Sequence, residues 1–154
     1  MLNRLVLLTS VTLCLGATAA LALPDVEIGF DPSQASPGDQ VHFFFSLTNV
    51  GTEAREITLQ TTLQFNDHTL GPFTRRVRLG AGQGHAIEFD FVIPQQAPAG
   101  TLTITTVASD VDGSDTATAS LEIVAPRGTP SAEKGMLDIF GKELTYHGFK
   151  NAVK

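Results

Sequence analysis

Between Asp25 and Val124 apolar and polar residues alternate with a period of two, as in strands that bury one face and wet the other. Val26, Ile28 and Phe30 alternate with Asp25, Glu27 and Gly29. Val41, Phe43, Phe45 and Leu47 alternate with His42, Phe44, Ser46 and Thr48. The pattern returns over 56–65, 76–79, 87–93, 101–108 and 116–123. Threonine and valine are abundant in these runs, as a half-buried pleated surface favours. Turn residues separate them: Pro37-Gly38-Asp39, Asn49-Val50-Gly51, Asn66 to Pro72, Gly80 to Gly84, Pro94 to Gly100 and Asp112-Gly113. A strand with one apolar face cannot bury it alone, and two antiparallel sheets packed face to face solve that problem. The expectation is an all-β, seven-stranded immunoglobulin-like β-sandwich.

One pairing follows from charge. A hairpin centred near Gly82-Gln83 sets Val77 opposite Phe89 and Leu79 opposite Ile87, all inward. It also sets Arg76 opposite Asp90 and Arg78 opposite Glu88, all outward. The register is therefore predicted from two apolar and two opposite-charge pairs.

Pro37-Gly38-Asp39, then the strand Val41 to Thr48, then Asn49-Val50-Gly51, resembles a segment of bacterial immunoglobulin-like modules. Gly82, Ile87 to Phe91 and Pro98-Ala99-Gly100-Thr101 continue the same grammar of strand and turn. The cell-adhesion-related domain of bacteria and NEW3-type modules are similar over roughly Asp25 to Val124. The resemblance implies a non-enzymatic module of surface or exported proteins.

The first 22 residues differ in character. Arg4, the uncharged run Leu5 to Leu15 and the small-x-small pattern Ala20-Leu21-Ala22 read as a secretory signal peptide. Cleavage is expected after Ala22, with Ala19-Ala20 as the alternative end, and the apolar run is short for a membrane span. The expected organisation is a signal peptide over 1–22, a sandwich over 23–125 and a linker with a flexible or short-helical tail over 126–154. A periplasmic or secreted location follows, with no membrane span after cleavage. The single cysteine, Cys14, lies in the leader, so the mature chain has no thiol or disulfide.

Charge is uneven. From Leu23 to Ala125 there are 13 acidic residues against four arginines, net −9, and from Pro126 to Lys154 three acidic against five basic, net +2. The acidic domain repels nucleic acid. A protein partner in the cell envelope or outside the cell is the expectation.

Asp110, Asp112 and Asp115 form the densest acidic cluster. They read either as a hairpin turn with aspartates bonding the backbone or as a calcium site, since calcium takes oxygen ligands. No other cofactor is expected. His42, His68, His85 and His147 lack the close spacing of a zinc pair and read as solvated. No serine lies in a nucleophile-elbow context, there is no tryptophan, and the single tyrosine, Tyr146, is in the tail. Phe44 points outward by parity, to be covered by a loop or to form part of a contact patch. In the tail, Met136, Leu137, Ile139, Phe140 and Leu144 fall on one face of a short helix. That segment reads as a dispensable terminus or as a docking segment for a partner or membrane surface.

Overall fold

The computed structural model describes residues 23–124 and 133–144. The expected leader (1–22), the linker (126–132) and the side chains of Met136 and Ile139 lie outside the described residues.

The strands are β1 (Pro24–Asp31), β2 (Gln34–Ala35), β3 (Gln40–Asn49), β4 (Arg55–Phe65), β5 (His68–Leu79), β6 (Gly84–Val92), β7 (Gly100–Ser109) and β8 (Ser114–Ile123), followed by helix α1 (Glu133–Leu144). One sheet has the order β1-β3-β6 and the other β2-β8-β7-β4-β5. The architecture is an all-β sandwich of two sheets, and the alternating positions supply its core. Phe43, Phe45, Leu47, Ile57, Leu59, Leu63, Phe65, Leu102, Ile104 and Leu121 are fully buried.

The described strands number eight, not seven. The extra one, β2, arises where the chain leaves β1 at Asp31 and crosses to the other sheet, parallel to β8. Two residues are too few to display a period, so β2 is invisible to pattern reading.

The charge-paired hairpin between residues 76–79 and 87–90 does not form. β5 pairs with β4, and β6 pairs with β3, in opposite sheets. Arg78 faces Glu56 and Arg76 faces Thr58, whereas Glu88 faces Phe44 and Asp90 faces His42. Two features divert the chain. The first is a tight turn at Asn66-Asp67, with Asn66 at φ 49° and Phe65 opposite His68. This turn starts β5 at His68, inside the stretch expected to be a loop, and commits it to β4. The register then shifts between Thr61 and Leu63, as at a β-bulge.

The second feature is Asn49, which is buried at the end of β3. The two N–H groups of its side-chain amide serve three carbonyls, one of them shared, of Glu53 (2.8 Å), Leu79 (3.1 Å) and Gly80 (2.9 Å), and its Oδ1 accepts from Gly51 N–H (3.0 Å). Its backbone accepts from Gly82 N–H (2.8 Å) and donates to the Gln83 carbonyl (2.9 Å). One side chain thus fastens the 80–83 turn as a bridge between sheets.

The tail helix folds into its own domain. Leu137, Phe140 and Leu144 are buried. The Phe140 ring lies 5.0 Å from that of Phe91, 5.6 Å from Phe43, and 5.8 Å from both Phe30 and Phe89. Gly141 allows close packing on the other sheet, since a Cβ there would fall 2.9 Å from Leu70 Cδ2 and push that side chain aside. The reading of Leu137, Phe140 and Leu144 as partner-binding residues is corrected: the domain's own core occupies them. Of the flexible or short-helical tail expected, residues 133–144 take the helical form.

Asn49→Ala is expected to cost about 2–3 kcal/mol, because it leaves buried carbonyls without donors. Urea unfolding should show a lower midpoint at an unchanged slope. Phe140→Ala is expected to cost about 3–5 kcal/mol by opening a cavity among four phenylalanines. Its thermal midpoint should fall well below that of an exposed change such as Lys142→Ala.

Candidate functional site

The β7–β8 connection holds the acidic cluster. Asp110 Oδ1 accepts from the N–H groups of Asp112 (2.8 Å) and Gly113 (3.1 Å), and Asp110 N–H donates to the Gly113 carbonyl (2.9 Å). This is an aspartate-stabilised turn. The other Asp110 oxygen lies 3.5 Å from Arg55 Nη1, which also contacts the Asp112 carboxylate. The Asp110 side chain is only 2% exposed and that of Arg55 19%.

Asp115 goes elsewhere. Its Oδ2 accepts from Val26 N–H (3.0 Å) on β1, and its Oδ1 from Thr116 N–H (2.8 Å). It therefore ties one sheet to the other. The three aspartates of the calcium reading, Asp110, Asp112 and Asp115, are not brought together. Arg55 neutralises the first two and the third faces a different strand. Among the described residues no three acidic, histidine or cysteine side chains gather as a metal requires.

Beside the turn lies a groove of about 540 Å³ lined by Glu53, Arg55, Glu56, Arg76, Asp110 and Asp112 among others. Most of its charges are paired: Arg55 with the two aspartates, and Arg76 Nη1 with Glu56 at 3.6 Å. Arg55, the residue that organises this end, has no motif in the sequence. It is the first residue of β4, and only the fold brings it to the β7–β8 turn.

The outer face of the three-stranded sheet is a second candidate. Cross-strand rows place Asp31, His42 and Asp90 together, then Gly29, Phe44 and Glu88, then Glu27, Ser46 and Ala86. His42 Nδ1 and Asp90 Oδ1 are 2.8 Å apart. Phe44, 37% exposed, lies at the centre of this face. No loop is needed to support it: its ring lies across Gly29, where an added Cβ would collide with it. An aromatic ring thus covers the backbone that the glycine leaves bare. Asp25, Glu27, Asp31, Glu88 and Asp90 are all exposed on this side.

The outer face of the five-stranded sheet has opposite chemistry. Rows such as Gln60–Val107–Thr116, Thr62–Thr105–Thr118 and Gln64–Thr103–Ser120 carry no charge. Thr105 and Thr118 share a hydrogen bond of 3.2 Å, as do Thr103 and Ser120.

His85 departs from its reading as a solvated loop residue. It is on β6, opposite Leu47 and on the inward parity of Ile87 and Phe89. Its Nε2 is buried without a hydrogen-bond partner. Burial, and then the positive charge of Arg75, push its pKa below the ordinary histidine value.

The chain matches no protein-family model and no curated protein by sequence. Solved structures similar to it share little sequence. One is the alkylpurine DNA glycosylase AlkC of Pseudomonas fluorescens bound to DNA containing an abasic site analog. It is 15% identical at a TM-score of 0.48, with 69% of this chain and 32% of that one covered. This chain therefore spans about a third of that protein. Another is the CARDB domain of a Pyrococcus furiosus protein in complex with di-metal ions. It is 14% identical at a TM-score of 0.45, covering 66% of this chain and 90% of that one. The ASH/PapD-like domain of human CEP192 is 11% identical at a TM-score of 0.43, covering 81% and 100%.

Asp110→Ala is expected to destabilise by about 1–3 kcal/mol, since it leaves the N–H groups of Asp112 and Gly113 without their acceptor, undoes the turn and leaves Arg55 with Asp112 alone. Calorimetry with calcium should register no heat for the unmodified protein. His85 sets a pH dependence. Its folded pKa lies below its unfolded one, so its neutral form stabilises fully above about pH 6.5 and that contribution is lost as pH falls. His85→Gln should flatten the fall of the thermal midpoint as pH drops below about 6.5, measured against the unmodified chain.

Proposed function

We propose that this protein is an exported, non-enzymatic binding or structural module that acts through protein–protein contacts in the periplasm or outside the cell. The leader pattern over 1–22 supports export. The observation that carries the binding role is the outer face of the three-stranded sheet. There five carboxylates surround one half-exposed aromatic ring on three strands in register. Carboxylates spread over a sheet face draw a basic partner by long-range attraction, and an aromatic ring at the centre supplies the apolar contact. Most charged groups at the β7–β8 end are absorbed by the fold, which leaves the sheet faces as the working surface.

Photo-crosslinking amino acids at Glu27 and Glu88 on the acidic face, and at Gln60 and Thr103 on the neutral face, test this in the producing cell. The acidic-face positions should yield the same identified protein adduct by mass spectrometry, and Phe44→Ser should diminish it. Absence of protein adducts at all four positions would overturn the reading.

A further inference from the structure

The outer face of the three-stranded sheet seats an aromatic ring at the centre of negative charge. Phe44 stands between Gly29 on β1 and Glu88 on β6 in one cross-strand row. The flanking rows put Glu27, Asp31 and Asp90 at diagonal positions to it. Diagonal neighbours on one face of an antiparallel pair lie about 7–8 Å apart, within reach of long side chains. Asp90 already has a partner in His42, at 2.8 Å. No lysine or arginine occurs on β1, β3 or β6 to meet the others.

The ring lies low. Its outer end crosses Gly29, where an added Cβ would collide with Cζ and Cε1. One face of a ring so placed is turned to the backbone and the other to solvent, and Phe44 is exposed. The face of an aromatic ring is its negative part, so it attracts a cation seated on it. Guanidinium suits the place better than ammonium, because it is planar, stacks on the ring and is weakly hydrated. Its N–H groups point outward in that plane and reach carboxylates at the rim of the ring as charge-assisted hydrogen bonds. An ammonium is a compact, strongly hydrated charge and gains chiefly from the carboxylates.

We infer that the partner of this face is a protein surface that seats an arginine on the Phe44 ring, held at its rim by Glu88 on one side and by Glu27 and Asp31 on the other. This deepens the reading above, on which it rests, by naming the residue at the centre of the contact. Gly29 serves the same end, since a side chain there would lift the ring from the sheet. Arginine and aromatic side chains are also the groups that most often carry the energy of an interface. A second copy of the chain is disfavoured as the occupant. Its exposed Arg76 and Arg78 sit beside Glu56 on the other sheet. Two domains of net −9 over residues 23–125 also repel one another.

The test is an NMR titration of the full chain, at low salt, with two decapeptides that alternate serine with arginine or serine with lysine. The arginine peptide should bind about two- to fivefold more tightly, the gain expected of one exposed cation–π contact. Its shifts should centre on Gly29, Phe44 and Glu88. Phe44→Leu, which keeps an apolar group at the exposed position, should bring the two peptides to equal affinity. Glu27→Gln combined with Glu88→Gln should weaken both. In the producing cell, the partner segment crosslinked from Glu88 should carry an arginine. Four results would overturn the inference. They are no shift at millimolar arginine peptide, equal affinity of the two peptides for the unmodified chain, an arginine preference that survives Phe44→Leu, or a crosslinked segment without arginine. Self-association that the double glutamine variant abolishes would overturn it too, by making a second copy the occupant. An identified protein adduct from Glu27 or Glu88 alongside any of the first four would leave the broader binding role standing, whereas absence of adducts at every probed position would remove that role as well.

Discussion

The two sheets differ in width, three strands against five, and the uncovered inner face of the wider sheet sets the terms for the rest of the molecule. Leu70 and Phe73 on β5 face inward where no strand of the narrower sheet reaches them. Helix α1 fills that space. Phe140 enters among the phenylalanines of β1, β3 and β6, while Gly141 rides against Leu63, Leu70 and Phe73 on the other side. One helical turn therefore contacts both sheets. With no cysteine after Cys14, closure rests on packing of this kind and on a few buried polar ties, chiefly Asn49 and Asp115.

Much of the fold was legible because burial imposes a period. The seven longer strands follow the alternation, and Phe44 sits on the outer face as parity requires. Pairing was less legible. Arg76 and Arg78 are complementary to Asp90 and Glu88, but Arg78 is equally complementary to Glu56 and Asp90 to His42, and these are the partners the fold selects. Charge complementarity between exposed residues is degenerate, because its energy is small and many registers satisfy it. The deciding residue, Asn49, was visible as part of a turn. Its hold on Leu79 and Gly80 is a contact between residues 30 and 31 positions apart, beyond any local rule.

The candidate sites show the same division. The aspartates of the β7–β8 turn were readable, and so was their capacity to bond the backbone. Arg55 was not, for it reaches them only through the ladder joining β4 to β7. The helical stripe Leu137, Phe140 and Leu144 was also readable. Its destination was not, since an apolar stripe is the same whether it meets a partner or its own domain. His85 lay close enough to a glycine-rich turn to pass for part of it, and the inward parity it shares with Ile87 emerges only once β6 is known to begin at Gly84.

The placement of Phe140 bears on the order in which the chain can fold. The ring at the centre of the aromatic cluster belongs to the last described element, and the first strand it joins, β1, begins more than a hundred positions earlier, at Pro24. Until that ring arrives the sandwich is a bowl with a greasy opening. A chain emerging from a ribosome from its N-terminus onward therefore holds every described strand before it holds the helix that seals them. Completion of the fold is deferred to the moment the C-terminal segment is released.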